Sequence, residues 1–405
     1  MRILILTQYF PPETGAPQNR LYDLALKLNK NAERVDILTG FPNYPKYEIM
    51  EGYKGKWRMK EEIEGLNIYR SYIFVSSKKS LFYRLLNYFS FVISSLFAGI
   101  FRVPKVDLII CESPPLFLGI TAVCLKWIKG AKLVFNVSDL WPESAVKLGL
   151  VTNPTVIKGT TWLEEWIYSK SDFISGQTQG IVNDIQKRFP DKPIFWLRNG
   201  VDPKELDSRL KGTNWRKQVG YSDDDILFYF GGLLGYAQAL DTIVRAASIL
   251  KDHEKIKFVI IGEGPEKERL ISLKEELDAK QLTFFPGVSK SEIADIINAA
   301  DVGIIPLKKI DLFLGAIPSK IFEIIYLKKP VLLGIEGEAK SLFVTQGKAG
   351  VAFEPENAEE LATKALKLAE QKSLIIELGE NGRTYVTEYF DREKIANEFW
   401  NFINT

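Results

Sequence analysis

Cysteine is nearly absent from this 405-residue chain. Only Cys111 and Cys124 occur, each inside an apolar segment, so neither a disulfide framework nor a zinc cluster can be built and a reducing compartment fits. Histidine is reduced to His253, in the charged turn Lys251-Asp252-His253-Glu254-Lys255, which is expected to be exposed and leaves no histidine-based catalysis. No excess of one charge is present: 53 basic residues face 51 acidic ones, net +2, which argues against nucleic acid as a partner. Long apolar runs are missing too. Leu81 to Phe101 is interrupted at Arg84 and Asn87, and the remainder from Tyr88 falls short of the ~18 to 20 residues that span a bilayer. The N-terminus Met1-Arg2-Ile3-Leu4-Ile5-Leu6 has none of the regions of a cleavable signal, giving a cytoplasmic expectation. No Gly-x-Gly-x-x-Gly follows the first apolar run, which counts against a dinucleotide oxidoreductase.

What is there is a regular alternation of short apolar runs with helical patterns, the mark of parallel sheets covered on both faces. Strands are expected at 2 to 7, 34 to 39, 66 to 74, 107 to 111, 132 to 137, 172 to 176 and 194 to 197. A second set is expected at 226 to 230, 257 to 261, 282 to 285, 302 to 305, 330 to 333 and 351 to 353. The length suits two or three domains at ~150 residues each. The turn-rich Arg198-Asn199-Gly200-Val201-Asp202-Pro203 marks the join, giving a domain over 1–200 and another over 201–385. The fold class is therefore α/β, with two doubly wound Rossmann-like domains facing a cleft beyond the carboxyl ends of their strands.

The chemistry is expected in the loops after those strands. Pro318-Ser319-Lys320-Ile321-Phe322-Glu323 reads as a loop opening a helix, with Pro318 in its first turn, free amides after it, Lys320 as a full positive charge and Glu323 within reach of a group beside a bound anion. The plain alternative is an amphipathic helix with Glu323 on its wet face. Gly15 and Ala16 permit close backbone approach after the first strand, and Arg20 follows where it could face a diphosphate. Asn43 and Tyr44 lie in the rigid aromatic segment Gly40-Phe41-Pro42-Asn43-Tyr44-Pro45, an acceptor-side candidate. Glu112, Asp139 and Glu143 place carboxylates at strand ends, with Trp141 beside them. In the second half, Gly231 and Gly232 form a glycine-rich turn before a helix expected to start at Ala239, and Gly262 and Gly264 form another. The helix at 81–101 is either a buried core helix or an interfacial one whose neighbours Lys78, Lys79, Arg84, Arg102 and Lys105 meet anionic lipid.

The segment from Pro318 to Glu323 resembles the nucleotide-binding signature of retaining GT-B glycosyltransferases of family 4 (group 1). Glu323 matches the second carboxylate of their Glu-x7-Glu pair, while Gly315 stands at the first. Together with residues 40 to 45, 111 to 115 and 136 to 144, the chain looks like the branch containing N-acetyl-L-fucosamine transferases of O-antigen and capsule synthesis. The resemblance implies a nucleotide-sugar donor, UDP-linked by family habit, a lipid-linked saccharide acceptor, retention at the anomeric carbon and no metal or other cofactor. By it the loop at Gly15 and Ala16 touches the donor, and the backbone from Phe285 through Gly287 to Val288 reads the nucleobase. Asp139 with Ser138 stands where a histidine-containing motif is usual, and a helix over 386–405 packs back on the first domain. The family's diphosphate-binding arginine and lysine are matched by Leu233 and Gln238, so Lys320 is chosen for the missing cation. Asp223-Asp224-Asp225 precedes a strand and is a solvated turn, not a metal motif. Two rivals stay open: a UDP-sugar 2-epimerase of the same shape, and a non-catalytic nucleotide-sugar-binding subunit.

Overall fold

The computed structural model describes residues 1–405 except Thr14, Pro45, Lys79, Leu148, Leu150, Thr213 and Lys290; of Ala16 and Leu81 only the backbone is described. The expectations for Pro45 and Lys79 therefore lie outside the described residues. The chain divides into two compact units, Met1–Asn199 with Glu393–Thr405, and Gly200–Arg392.

The first unit carries an eight-stranded sheet made of β1 (Arg2–Leu6), β2 (Arg34–Gly40), β3 (Arg58–Ile63), β4 (Leu66–Ser71), β5 (Leu108–Ser113), β6 (Lys132–Val137), β7 (Phe173–Gly176) and β8 (Ile194–Trp196). Its order is β3-β4-β2-β1-β5-β6-β7-β8, so the chain reverses its direction of winding between β1 and β5. β1 shows why such strands read as unbroken apolar runs: Ile3 and Ile5 face one hydrophobic layer, Leu4 and Leu6 the other, and all four are fully buried. The C-terminal helix Arg392–Ile403 closes the first layer with Ile395, Phe399 and Ile403, its rings meeting Phe195 and Phe173 at 5.4 and 5.2 Å. The expected return segment is thus shorter than 386–405, since residues up to Arg392 belong with the second unit.

β3 was absent from the expected strands. It is an antiparallel edge strand reading Arg-Met-Lys-Glu-Glu-Ile, too charged to stand out, and it is folded onto β4 by a two-residue turn with Glu64 and Gly65 both at positive φ. The helix α2 (Leu81–Phe101) packs Phe91, Val92, Ser95 and Ala98 into the second layer. Over Phe82–Phe101 it is long and apolar enough, by length and composition, to cross a membrane, which corrects the shorter reading from the sequence. Its inner face is tied down all the same: Thr121 donates to the Val92 carbonyl at 2.8 Å, and Ser94 to that of Tyr72.

The second unit holds a six-stranded, wholly parallel sheet of β9 (Ile226–Gly231), β10 (Ile256–Ile261), β11 (Leu282–Phe285), β12 (Val302–Pro306), β13 (Val331–Gly334) and β14 (Gly350–Ala352). The order β11-β10-β9-β12-β13-β14 puts its reversal of winding between β9 and β12. Ligands of doubly wound sheets bind at such reversals, beyond the carboxyl ends of the strands.

Candidate functional site

Three glycine turns lie side by side beyond β9, β10 and β11. The Gly232 amide donates to the Ile261 carbonyl at 2.9 Å, Leu234 to Glu263 at 2.9 Å, and Gly262 to Phe285 at 3.3 Å. Their closeness is what demands glycine. A Cβ at Gly262 would run into the Gly232 carbonyl, and one at Gly264 into the Leu234 backbone. At Gly231 it would strike the Tyr229 hydroxyl.

Across the reversal from β9, the segment after β12 brings in Lys320. Its ammonium lies 3.9 Å from the centroid of the Phe230 ring, 3.5 Å from Gln238 Oε1, and 3.1 Å from where a Gly232 Cβ would be. Among the described residues no carboxylate pairs with it. Although the side chain as a whole is only half-buried, its charged end is enclosed by protein, and that loss of hydration pushes its pKa down from 10.5 to about 7. A lysine held this way, resting on an aromatic face beside the Gly232 turn, is short of an anion.

Glu323 lies one turn further along the helix Lys320–Tyr326, a third exposed and 3.5 Å from Arg209. Its charge adds to the burial that drives the Tyr229 phenol upward. The sequence reading missed Arg209, Tyr229 and Phe230; only Phe230 carried a signal, as the residue just before Gly231-Gly232. Two expectations about helix starts need correction. Pro318 stands two residues before the helix rather than in its first turn, and the Ile321 and Phe322 amides are already engaged by the Pro318 and Ser319 carbonyls. The helix expected from Ala239 starts at Asp241, because Ala239 itself is left-handed at φ 46°. Phe285 packs edge-on to Trp215 at 5.2 Å, the Gly287 amide reaches Glu263 at 3.3 Å, and Val288 is exposed. A hollow of about 360 Å³ beside Tyr236 and Asp241 is a different place, where Arg269 is already paired with Asp241 and Glu266.

The first unit answers its own reversal of winding quite differently. Arg20, from the helix α1 (Ala16–Asn29), forms a buried ion pair with Glu112 at the end of β5, 2.7 Å long, and donates to Ser138 at 2.8 Å. Glu112 also accepts from Asn136 and Ser138. Glu112 is therefore tied to Arg20 rather than standing open to an acceptor, while Arg20 keeps Nε and Nη1 buried without a hydrogen-bond partner among the described residues. Asn43 is buried too, donating to the Phe41 carbonyl at 2.9 Å while its own amide is held by Glu13. It shapes its loop. Tyr44 remains partly exposed against Tyr9 and Tyr47. Trp141 packs on Phe117 at 5.6 Å, and Glu143 pairs with Lys147 at 2.6 Å. Asp139 stands at the end of β6, exposed by surface area; crowding by protein raises its pKa, against a hydrogen bond from Ser144, and solvent screening keeps that push small. Gly15 precedes α1 and Ala16 is its first residue; a Cβ at Gly15 would meet Gln18.

Residues 212–385 match the family model "Glycosyl transferases group 1". The chain is similar along its whole length to the putative colanic acid biosynthesis glycosyl transferase WcaI of Escherichia coli K12, 25% identical with 100% of each chain covered. Among solved structures it is similar to sucrose-phosphate synthase from Thermosynechococcus elongatus (TM-score 0.72, 18% identity, 100% and 98% covered). It is also similar to Anabaena Alr3699/HepE in complex with UDP (TM-score 0.69, 16% identity, 100% of both). The fold is thus GT-B, and residues 212–385 of its second unit are similar to the glycosyl transferases group 1 model.

Proposed function

We propose that the protein is a retaining glycosyltransferase of family 4 that transfers a sugar from a UDP-sugar to a lipid-linked saccharide in cell-surface polysaccharide synthesis. It would work at the cytoplasmic face of a membrane, with an N-acetylated 6-deoxyhexose such as N-acetyl-L-fucosamine as the first donor to try. The observation that carries the reading is the Lys320 ammonium, unpaired among the described residues, over the glycine turn at the β9–β12 reversal. A diphosphate supplies the charge that this arrangement lacks. The similarity to WcaI, a putative colanic acid glycosyl transferase, and to HepE bound to UDP supports the polysaccharide and UDP parts.

Cleaving the anomeric C–O bond builds negative charge on the β-phosphate. Lys320, held over the Gly231-Gly232 turn, would stabilise that charge without reorganising, which is the main source of rate acceleration open to this site. Glu323, steadied by Arg209, would accept hydrogen bonds from the ribose hydroxyls and fix the donor's position. The leaving phosphate then takes the acceptor hydroxyl's proton on the same face of the sugar, which gives retention without a protein nucleophile. No side chain needs to act as a base.

The test is UDP release from UDP-activated N-acetyl sugars, with and without polyprenyl-diphosphate saccharides, with NMR of the product's anomeric proton. Acceptor-dependent release with the donor's anomeric configuration is expected. An inverted product, or epimerised donor without transfer, contradicts the reading.

A further inference from the structure

Between α2 and the β3–β4 hairpin runs a mostly apolar groove of about 500 Å³. Trp57 forms one wall, lying flat on Tyr72 with ring centroids 4.7 Å apart, and Ile93, Phe97 and Phe101 of α2 form the other. The same face of α2 continues outward as Phe82, Leu86 and Phe89, so six large apolar side chains, from 38% to 78% exposed, run along a helix about 30 Å long. An isolated exposed leucine needs no explanation; a continuous stripe does.

Two arginines line the groove with them. Arg102 is fixed by the carbonyls of Arg70 and Met59 at 3.1 and 2.9 Å, and Arg58 is exposed beside it. Among the described residues neither forms an ion pair. Partial burial, and then the proximity of Arg58, both disfavour the charge on Arg102. An occupant that satisfies this place has an anionic head and an apolar tail. No Asp or Glu is among the residues that line the groove, so a second copy of the chain docked groove to groove would bring further guanidinium groups and no acid from it.

We propose that this groove is a site for an anionic phospholipid. The phosphate sits against Arg58 and Arg102, the first part of an acyl chain lies along Trp57, Phe97 and Phe101, and the stripe from Phe82 to Phe101 enters the same leaflet. α2 then lies in the membrane plane with its inner face still in the protein core. The inference rests on the membrane-side placement proposed above and names the chemistry of the contact.

Full-length protein is sedimented with vesicles of phosphatidylcholine alone and with phosphatidylglycerol added, and the UDP-induced rise in melting temperature is measured alongside. Wild type is expected to bind only the anionic vesicles. Arg58→Glu should weaken that binding on the order of tenfold, and Phe97→Ser with Phe101→Ser should abolish it, each variant melting like wild type in the absence of lipid. Equal binding by Arg58→Glu, equal binding of neutral vesicles, or a dimer that the serine variant dissolves would each overturn the site. The UDP-induced shift reads the second unit alone, so its loss would strike the proposed function whatever the vesicles show.

Discussion

Consider the pH dependence of donor binding. In the free protein the Lys320 pKa is held near 7 by burial without a counter-charge, and a diphosphate placed against the ammonium must raise it. Binding above neutral pH therefore takes up a proton. The affinity is full below the free-state value and falls as pH rises through it, by up to about tenfold per pH unit until the bound-state pKa is reached. Between pH 7 and 8.5 the Kd for a UDP-sugar should rise roughly tenfold. A UDP-sugar suits the measurement because its diphosphate is esterified at both ends and does not titrate in this range. Lys320→Met, which keeps the length and removes the charge, should weaken binding at pH 7 by about 1.5–3 kcal/mol, the worth of a charged hydrogen bond, and flatten the profile. The same variant should not destabilise the free protein. Lys320's folded pKa lies below its unfolded value, so its charge costs stability below about pH 7, and the cost fades as pH rises toward 10.5. Lys320→Met should therefore raise the melting temperature more at pH 6 than at pH 9. Isothermal titration across this range, with proton uptake read from buffers of different ionisation enthalpy, decides the matter. A flat pH profile in wild type, or a twofold effect of Lys320→Met, would refute the reasoning.

Other outcomes follow from the same geometry. Glu323→Ala should raise the donor Kd on the order of tenfold to a hundredfold while leaving the melting temperature within a degree or so, since Glu323 is partly exposed and, among the described residues, its carboxylate is held by Arg209 alone. Gly262→Ala drives a Cβ into the Gly232 carbonyl, so it should cost about 1–3 kcal/mol of stability and impair donor binding; chemical denaturation and calorimetry separate the two. Glu112→Ala strands the buried Arg20 guanidinium, a change of about 3–5 kcal/mol, seen as a melting shift on the order of 10 °C with donor affinity unchanged in the folded fraction.

Most of the architecture could be read in the sequence because buried parallel strands are short apolar runs with little ambiguity. β3 escaped because an edge strand is selected for charge rather than apolarity, and the Glu64-Gly65 turn was the signal that could have revealed it. The glycine turns and Lys320 were legible from type and order. What spacing cannot give is pairing over long separations. Nothing in the sequence shows that Arg20 meets Glu112, 92 residues away, so two groups that look separate are tied to one another. Arg209 escaped for the same reason, its partner Glu323 lying on a distant element. The face of α2 is a related case: composition shows an apolar helix, but only packing shows which side is covered.

The account depends on where the diphosphate sits. A crystal structure with UDP is the direct measurement. A β-phosphate oxygen is expected within about 3 Å of Lys320 Nζ, with Glu323 on the ribose hydroxyls. A nucleotide found elsewhere, with Lys320 still unpaired on Phe230, would contradict it.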